Sequence, residues 1–277
     1  MHWCPTSDFA FLPLHAAGVY VRDVDCCSDY VVSSYTPTVN ILLEARRGVQ
    51  PVRTSDAKVF LVAEVNAPDV EPLYSVLDEV DTIRGSLPPG TVIGIGDASD
   101  ERPSTGATVQ AALEGLPDAT VLHLACHGQQ DSGDPLQSGF VLRDGRLTVE
   151  RLMGARLPHA FLAFLSACET AKGDSAHADQ AVHLAAAMLF VGFRSVIGTM
   201  WCVAEPFLYH TRLTRLCCRC MDDEDGPMVA KSVYEELFKG DTFDASSVAY
   251  ALDAAIQSLR EAGVAPHRWA TYIHMGA

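Results

Sequence analysis

Short, continuous apolar runs are the feature that most restricts how this chain can fold. Most of these runs show no alternation of apolar and polar residues, which is typical of strands buried on both faces of a parallel sheet. The predicted strands are Asp29–Ser33, Lys58–Val65, Thr91–Ile95, Thr120–Ala125, Ala160–Ser166 and Ser195–Thr199. A hairpin is predicted within Phe140–Val149, turned at Asp144-Gly145.

Helical patterns lie between and after these strands. The segment Glu71–Arg84 is typical, because its apolar residues recur at intervals of three and four. The predicted helices are Pro37–Arg47, Glu71–Arg84, Thr108–Leu116, Gln180–Val191, Val229–Lys239 and Ser246–Ala262. Strands that alternate with helices predict an α/β fold with helices on both sides of the sheet.

Charge and cysteine content exclude several classes of protein. The 277 residues carry a net charge of −15, which argues against a nucleic-acid-binding or anionic-membrane surface. No stretch approaches the roughly 18–20 apolar residues of a membrane span. The nine cysteines are odd in number and irregularly spaced, unlike a secreted disulfide framework. We therefore expect a reduced, cytoplasmic protein.

Two of the predicted strands are followed by residues that suit nucleophilic catalysis. His127 and Gly128 follow one apolar run, and Cys168 follows another. Carboxyl ends of neighbouring parallel strands share one edge of the sheet, so His127 and Cys168 are expected to lie side by side. A thiol beside an imidazole ionises and attacks a carbonyl, and the N–H groups of Gly128 and Cys168 are candidates for the oxyanion site. The alternative is that Cys168 is a packed small side chain and His127 a capping or surface residue, neither with a catalytic role.

Metal-binding patterns are weak in this sequence. His123 and His127 are four residues apart, but a strand separates such residues by about 13 Å. The cluster of Cys217, Cys218 and Cys220 with His210 matches no common ligand spacing. We therefore predict no metal site and no cofactor.

The motifs around these strands resemble those of the CHAT domain, a caspase-like family of cysteine peptidases, in its fungal type. The similarity runs in order along nearly the whole chain, and its most specific pieces are Leu122-His-Leu-Ala-Cys-His-Gly128 and Leu165-Ser-Ala-Cys-Glu-Thr-Ala171. The resemblance implies an α/β, caspase-like three-layer sandwich with a mostly parallel central sheet flanked by helices. It also implies His127 as general base, Cys168 as nucleophile, and peptide hydrolysis without metal or cofactor.

Two departures from the family pattern bear on the domain organisation. Residues 1–277 are predicted to form a single CHAT domain, but family members carry more chain before the Trp3-Cys-Pro-Thr6 block. We therefore expect an N-terminally truncated domain that lacks an upstream helical-repeat or nucleotide-switch region. Residues 202–220 interrupt the match and hold four of the nine cysteines, so they are a candidate insertion or unspliced intron.

The expected function is that of a caspase-like cysteine endopeptidase acting on proteins or peptides in a signalling, cell-death or defence pathway. The loop acids Asp131, Asp134, Glu169 and Asp174 are candidates for a substrate pocket that favours Arg or Lys before the cut. One rival is a catalytically impaired effector or scaffold module. Another is a redox sensor with Cys126 as resolving thiol, although alternation along the strand turns Cys126 away from His127.

Overall fold

The computed structural model describes residues 1–20, 25–48, 50–96, 106–131, 133–166, 184–200 and 225–277. The strands, numbered in chain order, are β1 His2–Trp3, β2 Gly18–Val19, β3 Asp25–Cys26, β4 Ser34–Tyr35, β5 Val52–Arg53, β6 Val59–Ala63, β7 Val92–Ile95, β8 Val121–Ala125, β9 His127–Gln129, β10 Gly139–Leu142, β11 Gly145–Thr148, β12 Leu162–Leu165, β13 Ser195–Thr199, β14 Thr242–Phe243 and β15 Tyr272–Gly276. The helices are α1 Val39–Arg46, α2 Ser75–Ser86, α3 Val109–Gly115, α4 Val149–Met153, α5 Leu184–Val191, α6 Asp225–Leu237, α7 Ala245–Glu261 and α8 Pro266–Trp269.

Eight of these strands form the central sheet in the order β1-β4-β15-β13-β12-β8-β6-β7. Strands β13, β12, β8, β6 and β7 run parallel to one another. Strands β1, β4 and β15 are mutually parallel, and β15 lies antiparallel to β13. The mostly parallel α/β sheet that the sequence predicts is therefore confirmed.

The core consists of two apolar layers, one on each face of the sheet. Along β6, Val59, Leu61 and Ala63 enter the layer covered by α2, α6 and α7. Phe60 and Val62 enter the opposite layer, together with residues of α3, α4 and α5. Since both faces are buried, the strands need apolar residues at every position, which explains why they lack polar alternation. Helices on both faces make the three-layer sandwich.

One predicted strand is wrong. Cys27–Asp29 forms a short 3-10 turn instead of beginning an Asp29–Ser33 strand, and the sheet strand starts only at Ser34. The carboxylate of Asp29 accepts a hydrogen bond from the Cys26 N–H at 2.8 Å, which satisfies the backbone locally. Such side-chain acceptance competes with extended pairing and holds the turn.

The closing strand β15 is absent from the sequence prediction. It inserts between β13 and β4, with Ser195 opposite Gly276 and Met275 opposite Tyr35. Its five residues are all buried. Polar residues such as His274 give this segment no continuous apolar run, so only its distant partners define it as a strand.

The remaining elements lie close to their predicted places. Helix α2 begins at Ser75, four residues after the predicted start at Glu71, and α6 begins at Asp225, earlier than predicted. The hairpin is confirmed, but its turn lies at Arg143 and Asp144, one residue before the predicted Asp144-Gly145 turn. Among the described residues, no helix has the length and apolar character to span a membrane.

Two buried histidines sit where β4 and β15 meet the N-terminal segment. Nδ1 of His15 lies 2.9 Å from the Tyr35 hydroxyl, and Nδ1 of His274 lies 2.8 Å from the Ser34 hydroxyl. Both rings line one small cavity. Burial lowers the pKa of His15 to about 4 and the pKa of His274 to about 3. Both rings are therefore neutral in the folded protein at pH 7.

These two histidines predict a loss of stability in mild acid. The unfolded chain binds protons near pH 6.5 while the folded chain excludes them, so the free energy of unfolding falls as the pH drops from 6.5 towards 4. Each histidine contributes a slope of at most about 1.4 kcal/mol per pH unit. Urea titrations at pH 7, 6 and 5 measure this decrease. His274→Asn, which does not titrate, is expected to make the dependence shallower, and a flat profile for the wild type contradicts the assignment.

Candidate active site

The carboxyl ends of β8 and β12 meet at one edge of the sheet. Leu124 of β8 is paired with Leu165 of β12 in parallel register, and the Ser166 N–H donates to the Leu124 carbonyl at 3.0 Å. His127 lies three residues after Leu124 in the chain, and Cys168 lies three residues after Leu165. The two sequence-predicted catalytic residues therefore follow register-matched positions on neighbouring strands.

His127 is held by backbone groups on both sides. It belongs to β9, where it pairs with Val141 of the β10–β11 hairpin. Its Nε2 lies 2.7 Å from the backbone carbonyl oxygen of Glu71, in the loop that leads from β6 into α2. The ring is half-buried. The Glu71 carbonyl is a functional group that the sequence does not reveal, because a backbone oxygen leaves no residue-type signal.

This contact assigns the tautomer of His127. A carbonyl oxygen only accepts hydrogen bonds, so Nε2 must carry the hydrogen and donate it to Glu71. In the neutral ring, Nδ1 is then the basic nitrogen. The arrangement thus presents a defined proton acceptor at the edge of the sheet.

The loop that carries Glu71 is fixed by a buried carboxylate, Glu64. Its two oxygens accept from the N–H groups of Asn66 and Ala107 at 3.0 and 2.9 Å. The guanidinium of Arg143, on the β10–β11 hairpin, approaches the same carboxylate at 3.4 Å. Glu64 therefore joins the loop after β6, the segment before α3 and the hairpin that pairs with His127. Its sequence signal is a lone acid inside the apolar run Lys58–Val65.

Gly128 and two of the predicted pocket acids follow His127 directly. Gly128 is buried opposite Phe140 in the β9–β10 ladder. Asp131 accepts from the N–H groups of Gly133 and Asp134, each at 3.0 Å, and these bonds lower the pKa of its carboxyl. Asp134 caps the next turn by accepting from the Leu136 N–H at 3.1 Å. Both acids thus shape the loop beside His127, with one oxygen of each engaged in a turn.

The other predicted site residues lie outside the described part of the chain. These are Cys168, Glu169 and Asp174, together with the candidate insertion 202–220. Their assignments stay predictions from the sequence. The structure does place Ser166, two residues before Cys168, at the edge where β8 ends.

Cys126 is unsuited to thiol exchange. Its side chain is fully buried in the layer between the sheet and helices α3 to α5. Burial raises the pKa of its thiol, and the nearby charges of Glu64 and Glu79 raise it further. A thiol that stays protonated is a poor nucleophile, which argues against the hypothesis that Cys126 is the resolving thiol of a redox sensor.

His123 is also a residue of the protein core. It is buried on β8, with Nδ1 2.9 Å from the Tyr234 hydroxyl and its ring stacked on Phe164. No group of three or more His, Cys, Asp or Glu side chains arranged to hold a metal ion is found among the described residues.

Comparison with known proteins shows the family of this chain. The sequence model of the CHAT domain matches residues 2–208. The chain belongs to the CHAT domain family. No curated protein matches its sequence significantly.

Two solved structures are similar to this chain at low sequence identity. The complex of the Porphyromonas gingivalis RgpB pro- and mature domains has a TM-score of 0.51 at 10% identity, covering 88% of this chain and 54% of that one. The Arg-specific cysteine proteinase gingipain R (RGPB) has a TM-score of 0.49 at 10% identity, covering 88% of this chain and 53% of that one. This CHAT domain spans about half the length of those chains. Its fold is that of caspase-like cysteine proteases.

The position of Glu64 predicts a strong effect on stability. Glu64→Ala leaves the buried Ala107 N–H and the partly buried Asn66 N–H without their acceptor and removes the partner of the half-exposed Arg143, so we expect a loss of about 1–3 kcal/mol in the free energy of unfolding. Glu114→Ala, at an exposed position on α3, is the matched control and is expected to change it by less than about 0.5 kcal/mol. Urea unfolding of both variants tests this prediction. If both substitutions change the free energy of unfolding equally, Glu64 does not stabilise the loop and the hairpin as described.

Proposed function

We propose that this CHAT domain is a cysteine endopeptidase in which Cys168 is the nucleophile and His127 the general base and acid. The observation that carries the proposal is the held ring of His127, on a strand end in register with the strand that leads to Cys168. An imidazole with one nitrogen fixed by a carbonyl and the other basic suits proton transfer to and from a neighbouring thiol. The fold shared with caspase-like proteases supports the same assignment.

The reaction follows from these roles. Nδ1 of His127 takes the proton of the Cys168 thiol, and the thiolate attacks the scissile carbonyl carbon. The N–H groups of Gly128 and Cys168 bind the resulting oxyanion. His127 then protonates the leaving amine as the C–N bond breaks, which leaves a thioester. Water gives a proton to His127 and attacks the thioester, so that the C–S bond breaks and the thiolate recovers its proton.

Loss of either residue is expected to abolish this activity. His127→Ala should lower kcat by about 10²- to 10⁴-fold, because a general base contributes that much, and Cys168→Ala should leave no measurable turnover. A peptide-derived electrophile with a basic recognition residue reports the thiol directly. We expect labelling of the wild type and of Cys4→Ala, an exposed-thiol control, but not of Cys168→Ala. A Cys168→Ala variant that still cleaves peptides refutes the mechanism.

The substrate preference that we propose is Arg or Lys before the cut. The acids Asp131 and Asp134 lie on the loop after His127, and Glu169 and Asp174 follow Cys168 in the sequence. A carboxylate in a partly dry pocket pairs well with a guanidinium or ammonium group. Asp131→Asn keeps an oxygen for the turn and removes the charge.

A peptide library profiled on the purified chain tests this preference. We expect cleavage after Arg and Lys, and a lower kcat/KM for these peptides in at least one variant among Asp131→Asn, Asp134→Asn, Glu169→Gln and Asp174→Asn. Cleavage after Asp or after apolar residues would overturn the proposal for a basic preference while leaving the catalytic assignment intact.

The second candidate function is that of an effector or scaffold module with an impaired site. The proposed insertion of residues 202–220 within the domain favours this alternative. Their flanks are anchored on one segment, because the Met200 N–H donates to the Thr271 carbonyl at 2.8 Å and Arg268 binds the Asp225 carboxylate at 2.6 and 2.7 Å. A folded wild type that no electrophile labels under reducing conditions supports this alternative.

The cellular setting that we propose is the cytoplasm, in a signalling, cell-death or defence pathway. An upstream helical-repeat or nucleotide-switch region is the proposed regulatory partner, and proteins or peptides are the proposed substrates. Peptidase activity of the chain with and without a candidate upstream region, added as a separate protein, tests this partnership.

A further inference from the structure

A chain of buried polar side chains runs beneath the edge of the sheet that carries His127. Its members are Ser166 at the end of β12, Glu79 on α2, His123 on β8 and Tyr234 on α6. All four are buried. The chain therefore crosses the apolar layer covered by α2 and α6, where unpaired polar groups are costly.

Glu79 is the centre of this chain. Its Oε2 accepts from the Ser166 hydroxyl at 2.8 Å. Its Oε1 lies 3.2 Å from Nε2 of His123, a close contact outside hydrogen-bond geometry, and neither atom has a hydrogen-bond partner among the described residues. On the other side of the ring, Nδ1 of His123 lies 2.9 Å from the Tyr234 hydroxyl.

The partners assign the hydrogens of this chain. A carboxylate oxygen that faces Nε2 favours the tautomer of His123 with its hydrogen on that nitrogen. Nδ1 then accepts from the Tyr234 hydroxyl, whose pKa burial and the Glu79 charge raise well above its usual value. The Ser166 hydroxyl donates to Glu79 and the Tyr234 hydroxyl contacts His123, so the Glu79 carboxylate is the central acceptor of the chain.

Helix α2 links this carboxylate to the orientation of His127. The carbonyl that binds Nε2 of His127 belongs to Glu71, in the short segment that enters α2 at Ser75. Glu79 lies one turn into the same helix and binds Ser166, which precedes Cys168 by two residues. Helix α2 and the segment that leads into it therefore contact both strand ends from which the proposed dyad extends.

We propose that Glu79 is a positioning residue that holds α2 against Ser166 and so keeps the His127 and Cys168 strand ends in a reactive arrangement. This inference rests on the proposed peptidase function. A displacement of about 1 Å between reacting groups costs roughly 10²-fold in rate, so a loss of this contact appears in kcat. Glu79 itself does not touch the reacting atoms.

Substitution of the two contacting side chains tests the proposal. Glu79→Gln and Ser166→Ala are each expected to lower kcat by about 10- to 100-fold, with KM changed by less than about twofold, because orientation is lost and substrate contacts are kept. The double variant is expected to match the single variants, since both act through one contact. Additive losses, or unchanged kcat in folded Glu79→Gln, overturn the proposal.

A control separates positioning from general destabilisation. Tyr234→Phe removes a hydroxyl that contacts His123 at the far end of the chain and touches neither Ser166 nor His127. It is expected to lower the unfolding midpoint, as Glu79→Gln does, but to keep kcat within about twofold. If kcat in all variants follows the unfolding midpoint alone, the role of Glu79 is structural only.

Alkylation of Cys168 distinguishes failure of this inference from failure of the peptidase proposal. The rate of iodoacetamide reaction at Cys168, followed by mass spectrometry, is measured for the wild type, His127→Ala and Glu79→Gln. We expect a fast, His127-dependent reaction that Glu79→Gln slows about tenfold, even if no peptide is cleaved. A Glu79→Gln rate equal to that of the wild type, or a wild-type rate that does not depend on His127, overturns the inference.

Discussion

The parallel pairing of β8 with β12 is the constraint on which the rest of this structure depends. Its register places Leu124 beside Leu165, so the chain leaves both strands at the same level of the sheet. Parallel strands buried on both faces need helices on both sides, and one of those helices, α2, must pass close to the strand ends. The same pairing that builds the core therefore brings together the edge, the loop before α2 and the helix that carries Glu79.

Sequence periodicity predicts this core well because burial on both faces leaves a local trace. The runs that become β6, β8, β12 and β13 are recognisable without their partners. Periodicity fails at Asp29–Ser33, where the Asp29 carboxylate captures a backbone N–H and closes a turn. It also misses β15, whose strand partners lie far away in the chain. In both cases, the interaction that decides the local structure leaves no trace in the hydrophobic periodicity of the segment.

The acids near the site show the same division between local and distant effects. Asp131 and Asp134 follow a strand and are visible as loop acids, and their turn hydrogen bonds are local. Glu64 and Glu79 are embedded in apolar patterns, where an acid is easily read as a solvent-facing exception. Glu79 is nevertheless three residues after Val76 and four before Ile83, both on the buried face of α2. That spacing is a usable signal for a buried carboxylate, although its two partners, Ser166 and His123, lie on other elements.

The group that orients His127 differs from the carboxylate of a Ser-His-Asp triad. A carboxylate both fixes the tautomer and stabilises the imidazolium by its charge. The Glu71 carbonyl fixes the tautomer through a 2.7 Å contact but brings only a dipole. A thiol has a lower pKa than a serine hydroxyl, so it needs less help from its base to ionise. An uncharged orienting group is therefore sufficient for the cysteine nucleophile that we propose, and the buried carboxylates of Glu64 and Glu79 hold the surrounding scaffold.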